Sequence, residues 1–301
     1  MHLTVGVFCD RRFFEKFGKA GTNSDILIRN HSDSSGTFTF VHPLPERIQP
    51  AMQAAAMCDF PIIAINEINQ EVGETLILLS EIGFRNGLIV TDFLENEIKN
   101  MINDMPINGF DFCKKIENDV WEKIRNAKID RPLSPALVTI DTFFDVKGAG
   151  AVVLGLVKSG SVKQYDKLVC YPIRKEVLVK SMQSQDKEIK ETEPGHRIGI
   201  AMKGAETSEL KRGFVLSSSE IRCADRLSVA FSRSRFSMYD VSEGRQIFVS
   251  VGQHVVSGTV KKTEGDRIEV QLSQDVALYS DRCVFATNDS RPRIIGSGRI
   301  L

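Results

Sequence analysis

The sequence has 301 residues, which is enough for two or three domains. Its 39 basic and 39 acidic side chains balance, so no overall charge draws the chain to nucleic acid or membrane, although local patches remain open. No apolar run approaches the roughly 20 residues of a membrane-spanning helix, and the N-terminus lacks a signal-peptide pattern. We therefore expect a cytoplasmic protein that contacts neither membrane nor DNA.

The six cysteines are scattered along the chain, and no two of them form a C-x-x-C pair. This spacing disfavours a zinc site and favours reduced thiols in a cytosolic protein. The five histidines are also isolated from one another in the sequence. No pattern predicts a metal site, a Ser-His-Asp arrangement or a pair of catalytic carboxylates, so no catalytic residue is assigned.

The first third of the chain alternates between apolar strands and amphipathic helices. Strands are predicted at residues 3–8, 26–28, 37–41, 61–65, 87–91 and 107–112, and helices at residues 13–17, 45–57, 71–82, 95–102 and 118–127. This alternation predicts a Rossmann-like α/β domain over residues 1–132, with a parallel sheet and right-handed crossovers. Ligands of such sheets usually bind beyond the carboxyl ends of the strands.

A nucleotide site at those strand ends would need a glycine-rich phosphate loop that closes with Lys-Ser or Lys-Thr. After the first strand the chain instead reads Cys-Asp-Arg-Arg-Phe-Phe at residues 9–14. Gly18-Lys19 and Gly21-Thr22 are suitable residue types, but they come about ten residues too late and with the wrong spacing. We interpret the two glycines as the end of a helix and a turn.

Residues 136–162 mark the change from α/β to β structure. Apolar strands at residues 136–146 and 151–158, joined by the turn Lys147-Gly148-Ala149-Gly150, predict a hairpin. Both faces of these strands are apolar, which is typical of a barrel wall. We predict one β-barrel over residues 133–219 and another over residues 220–301. The strands of the second barrel are expected at residues 227–231, 245–251, 254–262, 267–273, 276–280, 283–286 and 292–300.

The predicted hairpin resembles domain two of the translational GTPases. The stretch FFDVKGAGAVVLGLVKSGSV resembles the family's F-x-I-K-G-x-G-T-V-V-x-G-x-V motif, and residues 177–183, 193–201 and 210–216 resemble its later strands. Residues 45–92 resemble the middle of the family's GTP-binding domain. The chain is therefore similar to elongation factor Tu and its selenocysteine-specific relative SelB, including archaeal forms. The resemblance implies a P-loop-GTPase-type α/β domain followed by two β-barrels.

The nucleotide motifs of that family are missing from the first domain. In place of D-x-x-G the chain has Val-His-Pro-Leu at residues 41–44, and in place of N-K-x-D it has Val-Thr-Asp-Phe at residues 90–93. Phosphoryl transfer depends on positioning and charge neutralisation, so losing these motifs together with the phosphate loop should abolish GTP hydrolysis. We expect a degenerate GTP-binding domain without a cofactor, and we interpret His42 as a surface or turn residue.

Altered loops could still hold GTP and Mg²⁺, and Lys19, Thr22 and Asp92 would then be the first residues to suspect. Candidate RNA contacts follow from the resemblance, because domain two of the family carries a pocket for the aminoacyl end of tRNA. They are residues near the matching barrel turns and in one basic loop of the last domain: Phe143, Lys147, Gly148, Gly150, Arg197, Lys203, Arg212, Arg233 and Arg235. The alternative is that the glycines serve tight turns and the basic side chains are simply solvated.

Three hypotheses about function remain open. The favoured one is an elongation-factor-like protein that binds tRNA, a ribosomal surface or another translation factor without a GTP cycle. The second is a divergent GTPase that binds nucleotide through altered loops. The third is a scaffold whose barrels hold a protein partner, and it predicts affinity for neither nucleotide nor RNA.

Overall fold

The computed structural model describes residues 1–148 and 150–301. The first part of the chain forms a seven-stranded sheet, in the order β2-β3-β4-β1-β5-β6-β7, with helices on both faces. Its elements are β1 (His2–Phe8), α1 (Arg11–Phe14), β2 (Lys19–Asn23), β3 (Ile26–Asp33), β4 (Gly36–Pro43), α2 (Ile48–Met57), β5 (Phe60–Ile65), α3 (Gln70–Ile82), β6 (Leu88–Thr91), α4 (Glu95–Ile102), β7 (Asp111–Cys113) and α5 (Glu117–Arg125). A 3₁₀ turn (Pro106–Gly109) precedes β7. The predicted α/β domain is confirmed.

Helices cover both faces of this sheet because alternate strand residues point in opposite directions. Val5 and Val7 of β1 pack into the cluster that includes α1 and α5, whereas Phe8 packs into the cluster that includes α2, α3 and α4. The strands are therefore apolar on both sides, as central strands of a covered sheet should be.

The sheet is mixed rather than purely parallel, so that prediction is wrong at one edge. Strands β4, β1, β5, β6 and β7 are parallel, whereas β3 runs antiparallel to both β4 and β2. β3 ends at Asp33 and β4 begins at Gly36. A link of two residues can join only antiparallel neighbours, because a parallel pair needs a crossover of about a dozen residues.

The segment before this edge also differs from the sequence prediction. The helix expected at residues 13–17 is a single turn, Arg11–Phe14, and residues 19–23 form the edge strand β2 instead of a turn. Gly18, with φ of +56°, separates the two elements. Phe13 and Phe17 are buried against the sheet, so packing rather than helical regularity fixes this segment.

The second part of the chain is a closed six-stranded β-barrel with one extra strand. Its strands are β8 (Leu137–Val146), β9 (Gly150–Ser159), β10 (Lys167–Tyr171), β11 (Lys175–Ser184), β12 (Lys187–Ile189), β13 (Arg197–Lys203) and β14 (Val215–Ser217). Pairing of β10 with β11 closes the ring, and β12 extends from β11. The predicted hairpin is β8–β9. Ala149, in its turn, lies outside the described residues.

The third part is a closed barrel in the order β15-β18-β17-β16-β19-β20. Its strands are β15 (Cys223–Arg233), β16 (Gln246–Val251), β17 (His254–Glu264), β18 (Arg267–Ala277), β19 (Arg282–Ala286) and β20 (Ile294–Ile300). The two strands predicted at residues 267–273 and 276–280 are one strand, β18. The pairing of β15 with β18 shifts between Ala224 and Arg226, and the bulge at this point contains the polar residues between the two predicted strands. The ladder therefore continues without a turn.

The first domain packs on the third through helices α2 and α3. Val284, Ala286 and Ile294 of the last barrel belong to the same buried apolar cluster as the inner faces of these helices. Burial of this apolar surface fixes the position of the α/β domain on the barrels.

All six cysteines are free thiols, and Cys58, Cys170 and Cys283 are buried. Burial raises the pKa of Cys170 and of Cys283 to about 12. Within the described ranges, no helix has both the length and the apolar character needed to span a membrane.

Candidate functional site

A cleft of about 890 Å³ separates the β2–β3 edge of the first domain from one face of the second barrel. Its lining comes from both domains: Gly18, Lys19, Ala20, Asn30, His31 and Ser32 on one side, and Phe144, Val146, Val152, Leu154, Ser181, Gln183, Gln185, Asp186, Arg197, Ile198, Gly199 and Ala201 on the other. A volume of this size and a mixed apolar and polar lining suit a ligand of nucleoside or aminoacyl size.

The floor of the cleft is an apolar strip on the β8–β9 hairpin. Phe144 and Val146 are 41% and 39% exposed, and Phe144 pairs with Val152 across the hairpin. Phe143, the residue expected at the site, pairs with the buried Val153 and packs against the barrel core. The exposed aromatic residue of the cleft is therefore Phe144, one position beyond the candidate.

A β-bulge explains why the neighbouring phenylalanine faces the cleft. The pairing of β8 with β9 shifts between Ile140 and Thr142, which inserts one residue into β8. Side chains alternate along a strand, so the extra residue moves every following side chain to the other face. Phe144 and Val146 thus point outward, although unbroken alternation from the buried Ile140 would place them inside the barrel.

A buried ion pair lies beside the floor. The guanidinium of Arg197 donates to both carboxylate oxygens of Asp141, at 2.9 and 2.8 Å, and the two side chains are 10% and 2% exposed. Arg197 also lies 3.4 Å from the hydroxyl of Thr22 in the first domain. A bidentate pair of this kind satisfies the charge of Arg197, so it orders the cleft wall rather than offering a free cation to a phosphate.

The far wall of the cleft is the two-residue turn between β11 and β12. Both of its residues, Gln185 and Asp186, have positive φ, 49° and 63°, as in a tight hairpin turn. Gln185 donates through Nε2 to the backbone oxygen of His31, at 3.2 Å, and so links the barrel to the first domain. The sequence analysis did not predict these residues, and the polar run QSQD at residues 183–186 is the signal from which the turn could have been found.

Basic side chains surround the tip of the β8–β9 hairpin near the cleft. Lys147 and Lys203 are exposed, and Met202 pairs with Ala151, which places Lys203 beside Gly150. Gly148 and Gly150 have φ of +84° and +88°, values that favour glycine, so both have a structural role in the turn. Two of the candidate lysines and both candidate glycines thus lie together.

The remaining candidate arginines lie elsewhere in the fold. Arg212 donates to Asp25 at 2.7 Å and to Gln53 at 3.1 Å, both in the first domain. Arg235 pairs with Asp104 at 3.0 Å, also across a domain boundary, and Arg233 is exposed on the last barrel. Arg212 and Arg235 thus each make a contact between two domains.

The residues suspected of binding nucleotide are not brought together. Lys19 and Thr22 lie on the edge strand β2, whereas Asp92 follows β6. Five strand spacings separate β2 from β6 in the sheet, about 24 Å at roughly 4.8 Å per spacing. One bound nucleotide cannot rely on all three side chains as its principal contacts.

The end of β1, where a phosphate loop would begin, is closed by an acidic residue. Asp10 caps the single turn of α1 by accepting from the backbone N–H of Phe13, at 3.0 Å. Its other carboxylate oxygen accepts from Asn66 at 2.5 Å and lies 3.9 Å from Lys115. A carboxylate therefore occupies the position where backbone N–H groups would face a phosphate, and it would repel one.

His42 is a core residue rather than the surface or turn histidine expected from the sequence. It is 3% exposed, donates through Nδ1 to the backbone oxygen of Val7 at 2.7 Å, and stacks on Phe14. Burial lowers its pKa. Across the described residues, no group of three or more His, Cys, Asp or Glu side chains is arranged to hold a metal ion.

Comparison with known proteins agrees with this architecture. Residues 150–217 match the family defined by elongation factor Tu domain 2. Together with the α/β sheet and the two closed barrels, this match shows that the chain is related to the translation factors elongation factor Tu and SelB. In particular, it is 32% identical to an uncharacterized protein of Methanocaldococcus jannaschii over an alignment of 305 positions that covers 99% of each chain.

A more distant relative and a solved structure show further similarity. The selenocysteine-specific elongation factor of M. jannaschii is 26% identical over an alignment of 219 positions that covers 66% of this chain and 42% of that factor. A translation elongation factor SelB from Methanococcus maripaludis, in complex with the GTP analogue GppNHp, shares the fold with a TM-score of 0.79 at 19% identity. The match covers 99% of this chain and 78% of the SelB chain.

Proposed function

We propose that the protein binds the 3′ end of a tRNA in the cleft and does so without a GTP cycle. The observation that carries this proposal is the exposed apolar floor formed by Phe144 and Val146 on the hairpin of the second barrel. Unpaired bases bind to protein surfaces by stacking on aromatic side chains and by hydrogen bonds to their edges. Gln183 and Asp186 supply such polar groups in the same cleft as Phe144.

The charges around the cleft favour an RNA end over a buried anion. Arg197 is neutralised by Asp141, so the floor itself carries no free cation. Exposed lysines stand at the rim, with Lys19 on one side and Lys147 and Lys203 at the hairpin tip. An apolar floor with a basic rim suits a stacked terminal nucleoside whose phosphates remain in solvent.

The absence of a GTP cycle is proposed from the carboxyl edge of the sheet. Asp10 occupies the start of the first helix, and strands β2 and β6, next to which Lys19 and Asp92 lie, are five spacings or about 24 Å apart. In place of nucleotide-driven rearrangement, contacts such as Glu74 with Arg293 would hold the domains in one arrangement. The protein would act in the cytoplasm, where tRNA and translation partners are present.

Fluorescence anisotropy with three labelled RNAs tests the tRNA proposal: an aminoacylated tRNA, the same tRNA deacylated, and the same tRNA without its terminal CCA. We expect binding that is lost when CCA is removed. Equal affinity for all three would indicate nonspecific contact with the RNA backbone. Binding to none of them would favour the scaffold hypothesis.

Titration of nucleotide-stripped protein with a fluorescent guanine nucleotide and Mg²⁺ tests the second half of the proposal. We expect no binding up to millimolar nucleotide. Micromolar binding that unlabelled GTP competes away would contradict it and favour the divergent GTPase. Lys19, Thr22 and Asp92 would then be replaced one at a time to locate the site.

A further inference from the structure

A second surface lies at the opposite end of the sheet from the cleft. Exposed apolar side chains follow the carboxyl ends of three adjacent strands: Ile68 after β5, Phe93 and Leu94 after β6, and Ile116 after β7. Their exposed fractions are 49%, 37%, 73% and 51%. We name these four residues the carboxyl-edge patch. Contiguous exposed apolar residues of this kind mark interaction sites more often than singly scattered ones do.

The strands that carry the patch end at nearly the same height, the patch is narrow, and hydrogen bonds fix two of its loops. Ile65 pairs with Thr91 in the parallel ladder, so β5 and β6 end at the same height, and β7 pairs beside them. Two strand spacings make the patch about 10 Å wide, which is about the diameter of one α-helix. The backbone N–H of Phe93 donates to the hydroxyl of Thr91 at 3.2 Å, and Asn69 caps the helix that follows Ile68.

Acidic side chains surround the patch on a protein whose net charge is zero. They belong to the same three loops and the helix starts that follow them: Glu67, Asp92, Glu95, Glu97, Glu117 and Asp119. In the part of the chain that the structure describes, only Glu95 of this group has an ion-pair partner, Lys99 at 2.5 Å. Of the two neighbouring lysines, Lys115 faces Asp10, and Lys114 is exposed. The rim is therefore predominantly acidic.

We propose that the carboxyl-edge patch is a docking site for a basic amphipathic helix of a protein partner. The apolar centre matches aliphatic side chains spaced i, i+3 or i+4, and i+7 along one helix face. The acidic rim matches lysines and arginines flanking that face, and it repels the phosphates of a nucleic acid. The patch lies four or more strands away from the cleft edge β2, so both surfaces can be occupied together.

Isothermal titration with a synthetic 18-residue helix, with leucines on one face and lysines beside them, tests this proposal. A scrambled peptide of the same composition serves as its matched control. We expect the amphipathic peptide to bind at least tenfold more tightly than the scrambled one, with an affinity that falls as salt is raised. The double variant Leu94→Ser, Ile116→Ser should weaken binding at least tenfold.

Met238→Ser, which alters an 88% exposed methionine on the last barrel, should leave peptide binding unchanged. The replaced side chains are mostly exposed, and circular dichroism would verify that each variant is folded. Equal binding of both peptides, no binding at millimolar peptide, or undiminished binding by the double variant would each overturn the proposal. Binding of tRNA by the double variant should equal that of the wild type, so this test is independent of the cleft.

Discussion

The carboxylate of Glu74, in helix α3 of the first domain, accepts from the backbone N–H and from Nε of Arg293 in the last barrel, at 2.8 and 2.9 Å. Arg291 donates to the same carboxylate at 3.0 Å. The side chains of Glu74 and Arg293 are 5% and 8% exposed. Burial alone would raise the pKa of Glu74, but the hydrogen bonds from the two arginines hold that pKa below its usual value. One carboxylate thus ties the α/β domain to a barrel more than 200 residues further along the chain.

We expect Glu74→Ala to lower the free energy of unfolding by about 3–5 kcal/mol, because removing one member of a buried ion pair leaves the other charge uncompensated. Urea denaturation measures this change, and small-angle X-ray scattering reports whether the first domain separates from the third. Glu15→Ala is the control. It removes an exposed pair with Arg11, and the expected loss is below about 1 kcal/mol. Equal losses in the two variants would show that Glu74 does not join the domains.

The contact between His2 and His196 predicts a dependence of stability on pH. Their rings, one from each of the first two domains, have centroids 3.3 Å apart. Burial and then the neighbouring His196 lower the pKa of His2 to about 4, and burial also lowers that of His196. Arg131 and the N-terminus disfavour protonation of His2, whereas Glu193, 3.6 Å away, favours it.

In the unfolded chain both histidines have a pKa near 6.5, so the unfolded state binds more protons between about pH 6.5 and pH 4. The free energy of unfolding should therefore be highest above about pH 6.5 and should fall as the pH drops toward 4. Urea midpoints measured from pH 7.5 to pH 4.5 test this, and the decrease in stability with falling pH should be smaller in His2→Gln. His31→Gln, which leaves the contact between His2 and His196 intact, should show the same decrease as the wild type. An unchanged slope in His2→Gln would contradict the assignment.

Phe144→Ala should weaken tRNA binding by about 1–3 kcal/mol, or roughly 5- to 150-fold, if the side chain stacks on the terminal base. Phe236→Ala is a matched control, because Phe236 is 38% exposed and lies on the last barrel. It should bind tRNA as the wild type does. Anisotropy with aminoacylated tRNA measures both variants. Equal affinities would remove Phe144 from the site.

Arg197 and Lys203 were both candidate RNA contacts, and we expect their substitutions to act differently. Arg197→Ala leaves the nearly inaccessible carboxylate of Asp141 unpaired, so it should destabilise the fold by about 3–5 kcal/mol. Lys203→Ala alters an exposed side chain and should change stability by less than about 0.5 kcal/mol.

The Lys203 variant should instead reduce the slope of log affinity against log salt by about 0.7, the value expected for one lost contact to a single-stranded phosphate. Thermal denaturation and salt titrations of tRNA binding separate the two outcomes. A large stability loss in Lys203→Ala, or a stable Arg197→Ala with reduced RNA affinity, would reverse these roles.

Local patterns in the sequence predicted the architecture because each element carries its own periodicity. The hairpin at residues 136–158 was evident from two apolar runs and a glycine turn. The side of that hairpin on which Phe143 and Phe144 lie was not evident. It depends on the bulge between Ile140 and Thr142, which forms through pairing with β9. A single inserted residue moves every following side chain to the other face of the sheet, and the amino-acid composition gives no sign of it.

The roles of the arginines were beyond sequence reasoning for a different reason. Arg212 pairs with Asp25, which is 187 residues away in the sequence, and Arg197 pairs with Asp141, which is 56 residues away. Charge alone does not reveal whether a guanidinium is solvated or paired, because the partner is chosen by the packing of whole domains. The absence of a phosphate loop could be read directly, since that motif is local and its spacing is strict.

Asp10 at the start of the first helix has a kinetic consequence for the proposed function. In a factor that hydrolyses a nucleotide, the rate of hydrolysis sets the time at which its cargo is released, and hydrolysis makes that release irreversible. Here the residence time of a bound tRNA would follow from its association rate constant and its affinity. With an association rate constant of about 10⁷ M⁻¹ s⁻¹ and a micromolar Kd, a complex lasts about 0.1 s. Delivery would then be a reversible handover, whose direction is set by the concentration of the acceptor.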